Sequence, residues 1–251
     1  MFDFFIRRSK ITVDCFTYNL NALEYFPIQE AASFYPEWWK NVPKYHTTHD
    51  SQGLELKRST IKSCNGFIDL YRQGFMIPLW SDLVVETLAN GFRYNFAEGD
   101  QNEIGRHDYE QMSDEFLPYV HFKIMSPWRL RERSGVKFLF TQPSYNHVKT
   151  ILDWHVMSGV VDFQYQNATN INIIAPRGRR FEMPAGHVMA HIIPLTDKEV
   201  KIKNHFLDKR DIDNIRLFSN NYPFFNGSYR KMKKLREDKQ EKKCPFKGFF
   251  K

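Results

Sequence analysis

Cysteine is scarce in this chain of 251 residues, and its placement argues against two kinds of site. The three cysteines, Cys15, Cys64 and Cys244, are far apart in sequence and never form a Cys-x-x-Cys pair. Disulfide-stapled domains and zinc knuckles both need closely spaced, paired cysteines. We therefore expect free thiols in a reducing compartment.

Long hydrophobic runs are also missing. No apolar stretch approaches the roughly 20 residues that cross a bilayer as a helix. At the N-terminus, Arg7 and Arg8 follow a short apolar patch, whereas a secretory signal peptide has its basic residues first. We expect no membrane partner.

Several common catalytic motifs are absent as well. The sequence contains no glycine-rich phosphate loop, no serine nucleophile elbow and no His-x-Asp or His-x-Glu pair. The phosphate loop and the elbow carry specific chemistry in enzymes that use them. Their absence lowers the expectation of an enzyme without excluding one.

Net charge is absent from most of the chain. Residues 228–251 carry ten basic and three acidic side chains, which accounts for the whole net charge of +7. Three interpretations of this basic tail are open. It is a solvated helix, a segment that contacts a polyanion, or a segment that docks through its terminal aromatic residues. The candidate partner-binding residues of this tail are Lys233, Lys234, Arg236, Phe246, Phe249 and Phe250.

Aromatic residues are abundant, and they alternate with polar ones. The chain has 23 Phe and 12 Tyr, and residues 92–96 and 120–124 show a period of two, which is typical of half-buried strands. The spacing predicts a mainly β fold, an antiparallel sandwich or a cupin-like barrel, with an N-terminal helix at 27–35 and C-terminal helices. Further strands are predicted at 67–71, 75–80, 83–86, 136–140, 161–165, 170–174, 181–183, 188–195 and 200–202.

The strand at 161–165 gives a specific prediction. We expect Val161, Phe163 and Tyr165 to point into the core, whereas Asp162 and Gln164 face a wetter side. Successive side chains of a strand point to opposite faces, so a strict alternation fixes which face is buried.

Changes of pattern along the chain predict three regions. Residues 1–59 form an N-terminal strand and helix with a Trp-rich turn, 60–207 a β-rich core, and 208–251 a helical basic appendage. The core divides into possible halves, 60–125 and 126–207, because 66–71 and 159–165 share a loose outline. A duplicated β unit is one hypothesis for this outline.

Several segments resemble a group of uncharacterised proteins encoded by T4-like marine bacteriophages. They are 60–69, 77–82, 126–128, 159–172, 184–187 and 193–195. The resemblance implies a β-rich fold and a phage setting, in the cytoplasm of an infected bacterial host or associated with the virion. It carries no catalytic residue to this chain.

His187 and His191 stand four apart, which on a helix would let them share a metal ion. Pro184 and Gly186 precede them and Pro194 follows, so the surroundings favour a strand. On a strand the two residues lie roughly 13 Å apart. We expect them not to share a metal.

A polar loop at 98–115 is the other candidate for chemistry. It contains His107 and Gln111, and Asp82, which follows a predicted strand, and His121, which lies in another, complete the set of candidate residues. Two histidines and a carboxylate, here His107, His121 and Asp82, can hold Fe(II) or another divalent metal in a barrel oxygenase. The usual His-x-Asp pair is missing, so a solvated loop is the competing interpretation.

A row of amides runs through 164–172. The side chains of Asn167, Asn170 and Asn172 suit saccharide hydroxyls and suit an exposed sheet face equally well.

Two functions remain open on the sequence. The favoured hypothesis is a non-enzymatic phage structural or accessory protein that acts through protein–protein interactions, with other phage proteins or with itself. The alternative is a metal-dependent enzyme of cupin or oxygenase type with a polar site near 98–121.

Overall fold

The computed structural model describes residues 10–97, 103–107, 112–147, 153–212 and 234. The described part is mainly β, with mostly antiparallel sheets, which confirms the predicted fold class. Its strands are β1 (Ile11–Thr17), β2 (Gln29–Glu30), β3 (Tyr45–His49), β4 (Glu55–Ser59), β5 (Phe75–Pro78), β6 (Leu83–Leu88), β7 (Gly91–Phe96), β8 (Ile104–His107), β9 (Tyr119–Ile124), β10 (Arg129–Arg131), β11 (Phe138–Thr141), β12 (His155–Val156), β13 (Gly159–Val161), β14 (Ile171–Pro176), β15 (Arg180–Met183), β16 (Val188–Pro194) and β17 (Val200–Phe206). The α-helices with both ends described are α1 (Leu20–Glu24), α2 (Glu37–Asn41) and α3 (Asn65–Arg72), and residues 209–212 are also helical.

The strands form five sheets. The largest has the order β13-β11-β16-β5-β2, and the next has β12-β14-β9-β8. Two three-stranded sheets have the orders β15-β6-β7 and β10-β1-β17, and β3 pairs with β4 alone. Strands of the two proposed halves therefore pair with each other in three of these sheets, and the duplication itself stays a prediction.

One parallel pair joins distant parts of the described chain. β1 lies between β10 and β17, antiparallel to the first and parallel to the second, with Ile11 opposite Val200. The N-terminal strand is thus part of a sheet with the last strand of the β-rich region.

The described residues form one large hydrophobic cluster and one small one. The large cluster takes buried side chains from strands throughout the described chain, including Val13, Phe122 and Ile192. The small cluster centres on Phe67 and Tyr71, with Ala31, Met76 and Val188. This second cluster supports the candidate site described below.

The predicted strand at 67–71 is wrong, because these residues belong to α3. Phe67 and Tyr71 are buried on one helical face, as residues four apart are. A short apolar run does not distinguish a buried strand from a short helix.

The predicted helix at 27–35 is also wrong. Gln29 and Glu30 form β2, which pairs with Met76 and Phe75 of β5, and a 3-10 turn follows at Ala31–Phe34. Pairing with a distant strand overrides the local helical signal.

The strand predicted at 161–165 ends at Val161, the last residue of β13. The Asp162 carbonyl accepts from the amides of Tyr165 and Gln166, which forms a turn. Phe163 and Tyr165 are buried as predicted, but Asp162 is buried too. The prediction that Asp162 faces a wetter side is therefore wrong.

The basic tail lies outside the described residues, apart from Lys234, which is helical and exposed. The predicted partner-binding residues Lys233, Arg236, Phe246, Phe249 and Phe250 all fall in that undescribed part. Among the described residues, none of the helices has the length and apolar character to cross a membrane.

Candidate functional site

The structure brings together two of the three candidate metal residues. His107 in β8 lies directly opposite His121 in β9, and their rings stack with centroids 4.6 Å apart. Burial, together with the nearby His107 and Lys123, lowers the pKa of His121 to about 4.

Asp82 lies elsewhere and has a structural role. Its carboxylate Oδ1 accepts a hydrogen bond of 2.7 Å from the Ala185 amide. Gln111 lies outside the described residues. Within the described ranges, no three His, Cys, Asp or Glu side chains are grouped so that they could hold a metal.

His187 and His191 have different surroundings. His191 is in β16, as the strand prediction required, and its Nε2 donates to the Gln73 carbonyl at 2.7 Å. His187 precedes β16 and stacks on His147, with ring centroids 4.2 Å apart. Burial lowers the pKa of both His187 and His191.

The amide row includes a structural anchor. The Asn167 side chain donates to the Leu130 carbonyl at 2.7 Å. Asn172 lies in β14, opposite Lys123 of β9. Asn167 therefore holds this segment to β10.

A cavity of about 390 Å³ opens at the end of β11. Neither Lys, Arg, Asp nor Glu is among its lining residues in the described part of the chain. The lining residues are Thr141, Gln142, Pro143, Ser144, Tyr145, His147 and His155.

His147 is the most unusual residue of this cavity. Its side chain is buried, with only 4% exposed, yet among the described residues no group meets hydrogen-bond geometry with either ring nitrogen. It packs between Trp154, at 4.8 Å between centroids, and His187. The Nε2 of His187 is likewise buried, with no hydrogen-bond partner in the described part of the chain.

Burial, with a smaller contribution from the neighbouring His187, lowers the pKa of His147 to about 4. The Val188 backbone partly opposes this lowering of the pKa. Its position relative to the His147 ring does not meet hydrogen-bond geometry. His147 is therefore neutral at pH 7, with one N–H donor and one acceptor nitrogen.

The loop that carries His147 is held firmly by the small hydrophobic cluster. Tyr71 Oη lies 2.6 Å from both the Ser144 carbonyl and Asn146 Oδ1. The Asn146 amide in turn donates to the Phe34 carbonyl. These contacts fix the loop before any ligand arrives, which reduces the entropy that binding would cost.

Tyr145 forms an aromatic rim beside the cavity. Its φ of +67° is the one positive value at a non-glycine residue in the described ranges. Non-glycine residues in this left-handed region cluster at functional sites. The Tyr145 ring packs on Phe67 and Trp38, and 47% of Tyr145 and 37% of Trp38 stay exposed.

No direct signal in the sequence points to this site. His147 and His187 are forty residues apart, and their stacking depends on how the loop after β11 packs against the start of β16. The available indication was the run of polar and aromatic residues at 141–147, which follows the predicted strand at 136–140.

No protein-family model matches the chain, and no curated protein matches it. Among solved structures, a point mutant of the dUTPase from phage phi11 of S. aureus aligns with 51% of this chain and 81% of its own length. The identity is 14% and the TM-score 0.28. A similarity of this size carries no argument about fold or function.

Proposed function

We propose that this protein binds a small uncharged molecule rich in hydroxyl groups, a saccharide or polyol, in the cavity beside His147. The observation that carries the proposal is the pair of partnerless ring nitrogens on a buried histidine that lines a cavity. Buried polar atoms are nearly always hydrogen-bonded, and leaving one unpaired costs about 1–3 kcal/mol. Both nitrogens are closed to solvent in this conformation, so a ligand in the cavity satisfies them when the His147 ring turns towards it.

The lining supports an uncharged ligand. Among the described lining residues, an anion would find no lysine or arginine, and a cation would find no carboxylate. The titratable side chains of this lining are Tyr145, His147 and His155. His147 offers no charge either, because its pKa of about 4 leaves it neutral at pH 7.

The same lining supports hydroxyl groups on the ligand. Thr141 and Ser144 supply hydroxyls, Gln142 an amide and His147 a neutral imidazole, groups that between them donate and accept hydrogen bonds. The exposed ring of Tyr145 offers an apolar face of the kind that packs against the C–H face of a sugar ring. A volume of about 390 Å³ lies in the range of small-molecule pockets.

The resemblance to phage proteins supports placing this binding activity in an infected bacterial host. A role as a structural or accessory component, with or without a place in the virion, fits a binding protein. The iron or other divalent metal of the alternative enzyme is not proposed, because Asp82 lies apart from His107 and His121.

Saturation-transfer NMR on the full chain tests the proposal, with glucose, galactose, N-acetylglucosamine and glycerol as probes. We expect at least one of them to receive saturation from the wild-type protein. The His147→Phe variant keeps an aromatic ring in the packing but loses both nitrogens, so it should lose the signal. The matched control is His205→Phe, because His205 bonds Asp14 and does not line the cavity.

Three results would overturn the proposal. One is the absence of saturation for all four probes. Another is equal saturation by wild type and His147→Phe. The third is binding of inorganic phosphate in the cavity instead, which would contradict the uncharged lining.

A further inference from the structure

No described strand joins the hairpin formed by β3 and β4. Nine of its ten strand residues are exposed, and within the described ranges neither strand pairs with any other sheet. An isolated two-stranded hairpin is only marginally stable in water. Such an element gains stability when another strand adds to its edge.

The hydrogen bonds of the hairpin show which backbone groups point outward. The Thr60 amide donates to the Lys44 carbonyl, and the Asp50 amide donates to the Leu54 carbonyl. Antiparallel ladders alternate, so even-numbered residues of β3 face β4. The backbone groups of Tyr45, Thr47 and His49 therefore face away from β4, and no described strand pairs with them.

The two edges of the hairpin differ in charge. β4 carries Lys57 and Arg58, and charged side chains of this kind discourage edge-to-edge pairing. β3, with the sequence Tyr-His-Thr-Thr-His, contains no Lys, Arg, Asp, Glu or Pro. β3 is thus the open edge.

We propose that β3 pairs with β3 of a second copy of this chain, antiparallel and centred on Thr47. In this register Tyr45 lies opposite His49 of the second copy, and His46 lies opposite Thr48. The flanking Lys44 then lies opposite Asp50 of the second copy, so opposite charges meet at both ends. A two-fold axis through Thr47 makes the contact self-complementary, as closed dimers require.

The outward backbone groups fit the same register. Tyr45, Thr47 and His49 would exchange amide and carbonyl hydrogen bonds with His49, Thr47 and Tyr45 of the second copy. The equivalent pairing of β4 about its central residue would place Lys57 opposite Lys57, and like charges directly opposite are destabilising. The sequence therefore selects one edge of the hairpin.

Sedimentation velocity over a concentration series tests the dimer, with Thr47→Pro as the main variant. Proline has no backbone N–H, and the Thr47 amide that it removes faces the second copy. The substitution therefore leaves the hydrogen bonds within the hairpin in place. Because each copy loses one hydrogen bond across the contact, we expect the dissociation constant of the dimer to rise by about tenfold or more. Lys57→Pro is the matched control, since it removes an outward amide from the other edge, and it should leave the dimer intact.

Charge variants test the register through its ends. Lys44→Glu would face Asp50 of the second copy and should weaken the dimer, whereas Lys57→Glu should not. A wild-type chain that stays monomeric at every concentration would overturn the proposal. So would a dimer that is insensitive to both Thr47→Pro and Lys44→Glu.

A crosslink tests the geometry directly, even if the proline variants unfold the hairpin. Hydrogen-bonded partners on antiparallel strands have Cα atoms about 5.5 Å apart, within the reach of a disulfide. In a background with Cys64→Ser and Cys244→Ser, mild oxidation should convert Thr47→Cys into a covalent dimer. If Lys57→Cys crosslinks and Thr47→Cys does not, the assignment to β3 is wrong.

Discussion

His147 shows how one buried side chain ties stability to pH. Its pKa falls from 6.5 in the unfolded chain to about 4 in the folded protein. The folded state therefore binds fewer protons than the unfolded state between these values. Its neutral form stabilises the fold fully above pH 6.5, and this contribution is lost as the pH falls towards 4.

As the pH falls from 6.5 to 4, protonation linked to His147 should lower the unfolding free energy by about 3 kcal/mol. Each pKa unit of the shift corresponds to about 1.36 kcal/mol. Urea unfolding at several pH values measures it. His147→Phe should flatten the pH dependence in this window by about that amount. His155→Gln is the control, since His155 is exposed, and an equal flattening there would contradict the assignment.

At the scale of single elements, the turn before β5 requires glycine. Gly74 has a φ of +70°, and a Cβ at this position would lie 2.0 Å from the Ile192 carbonyl oxygen in β16. Both the backbone conformation and the space therefore exclude a side chain. The close contact holds β5 against β16 in the largest sheet.

Gly74→Ala should lower the unfolding free energy by about 3 kcal/mol or more, since it combines backbone strain with a backbone clash. Chemical denaturation measures this loss. Gly66→Ala provides the matched control, because Gly66 belongs to α3 and a Cβ added there would meet nothing within 4 Å. Equal effects at the two glycines would rule out this explanation.

The elements also show how far the sequence could predict the fold. β7 and β9 were predictable because apolar and polar residues alternate along each strand. The apolar residues include Phe92 and Phe96 in β7 and Phe122 in β9. α3 was not, because the apolar spacing of Phe67 and Tyr71 fits a helix and a strand alike. β2 could not be predicted either, because its two residues form a strand only by pairing with β5.

The candidate site was less predictable than the fold. The pairing of His107 with His121 depends on the register between β8 and β9, and no local pattern encodes a register between two strands. The cavity depends on the loop at 143–147, whose conformation is set by Tyr71 and Phe34 from distant segments. Tertiary contacts of this kind leave no periodic signal in a sequence.

At the scale of the whole molecule, α2 connects the cavity rim with the hairpin. Trp38 of α2 donates to the Tyr145 carbonyl at the rim. On the other side, Lys62, which follows β4, donates to the Trp39 and Lys40 carbonyls. A dimer formed through β3 would therefore carry two cavities, one attached through α2 to each hairpin.

The most direct measurement follows the ring nitrogens of His147 by long-range ¹H–¹⁵N NMR while glucose or N-acetylglucosamine is added. We predict a neutral imidazole at pH 7 that titrates well below the ordinary pKa of 6.5, with a value of about 4. We also predict that its two nitrogen shifts move as one of the sugars is added. A His147 that titrates near 6.5, or whose signals ignore both sugars at saturating concentration, would contradict a binding site at this cavity.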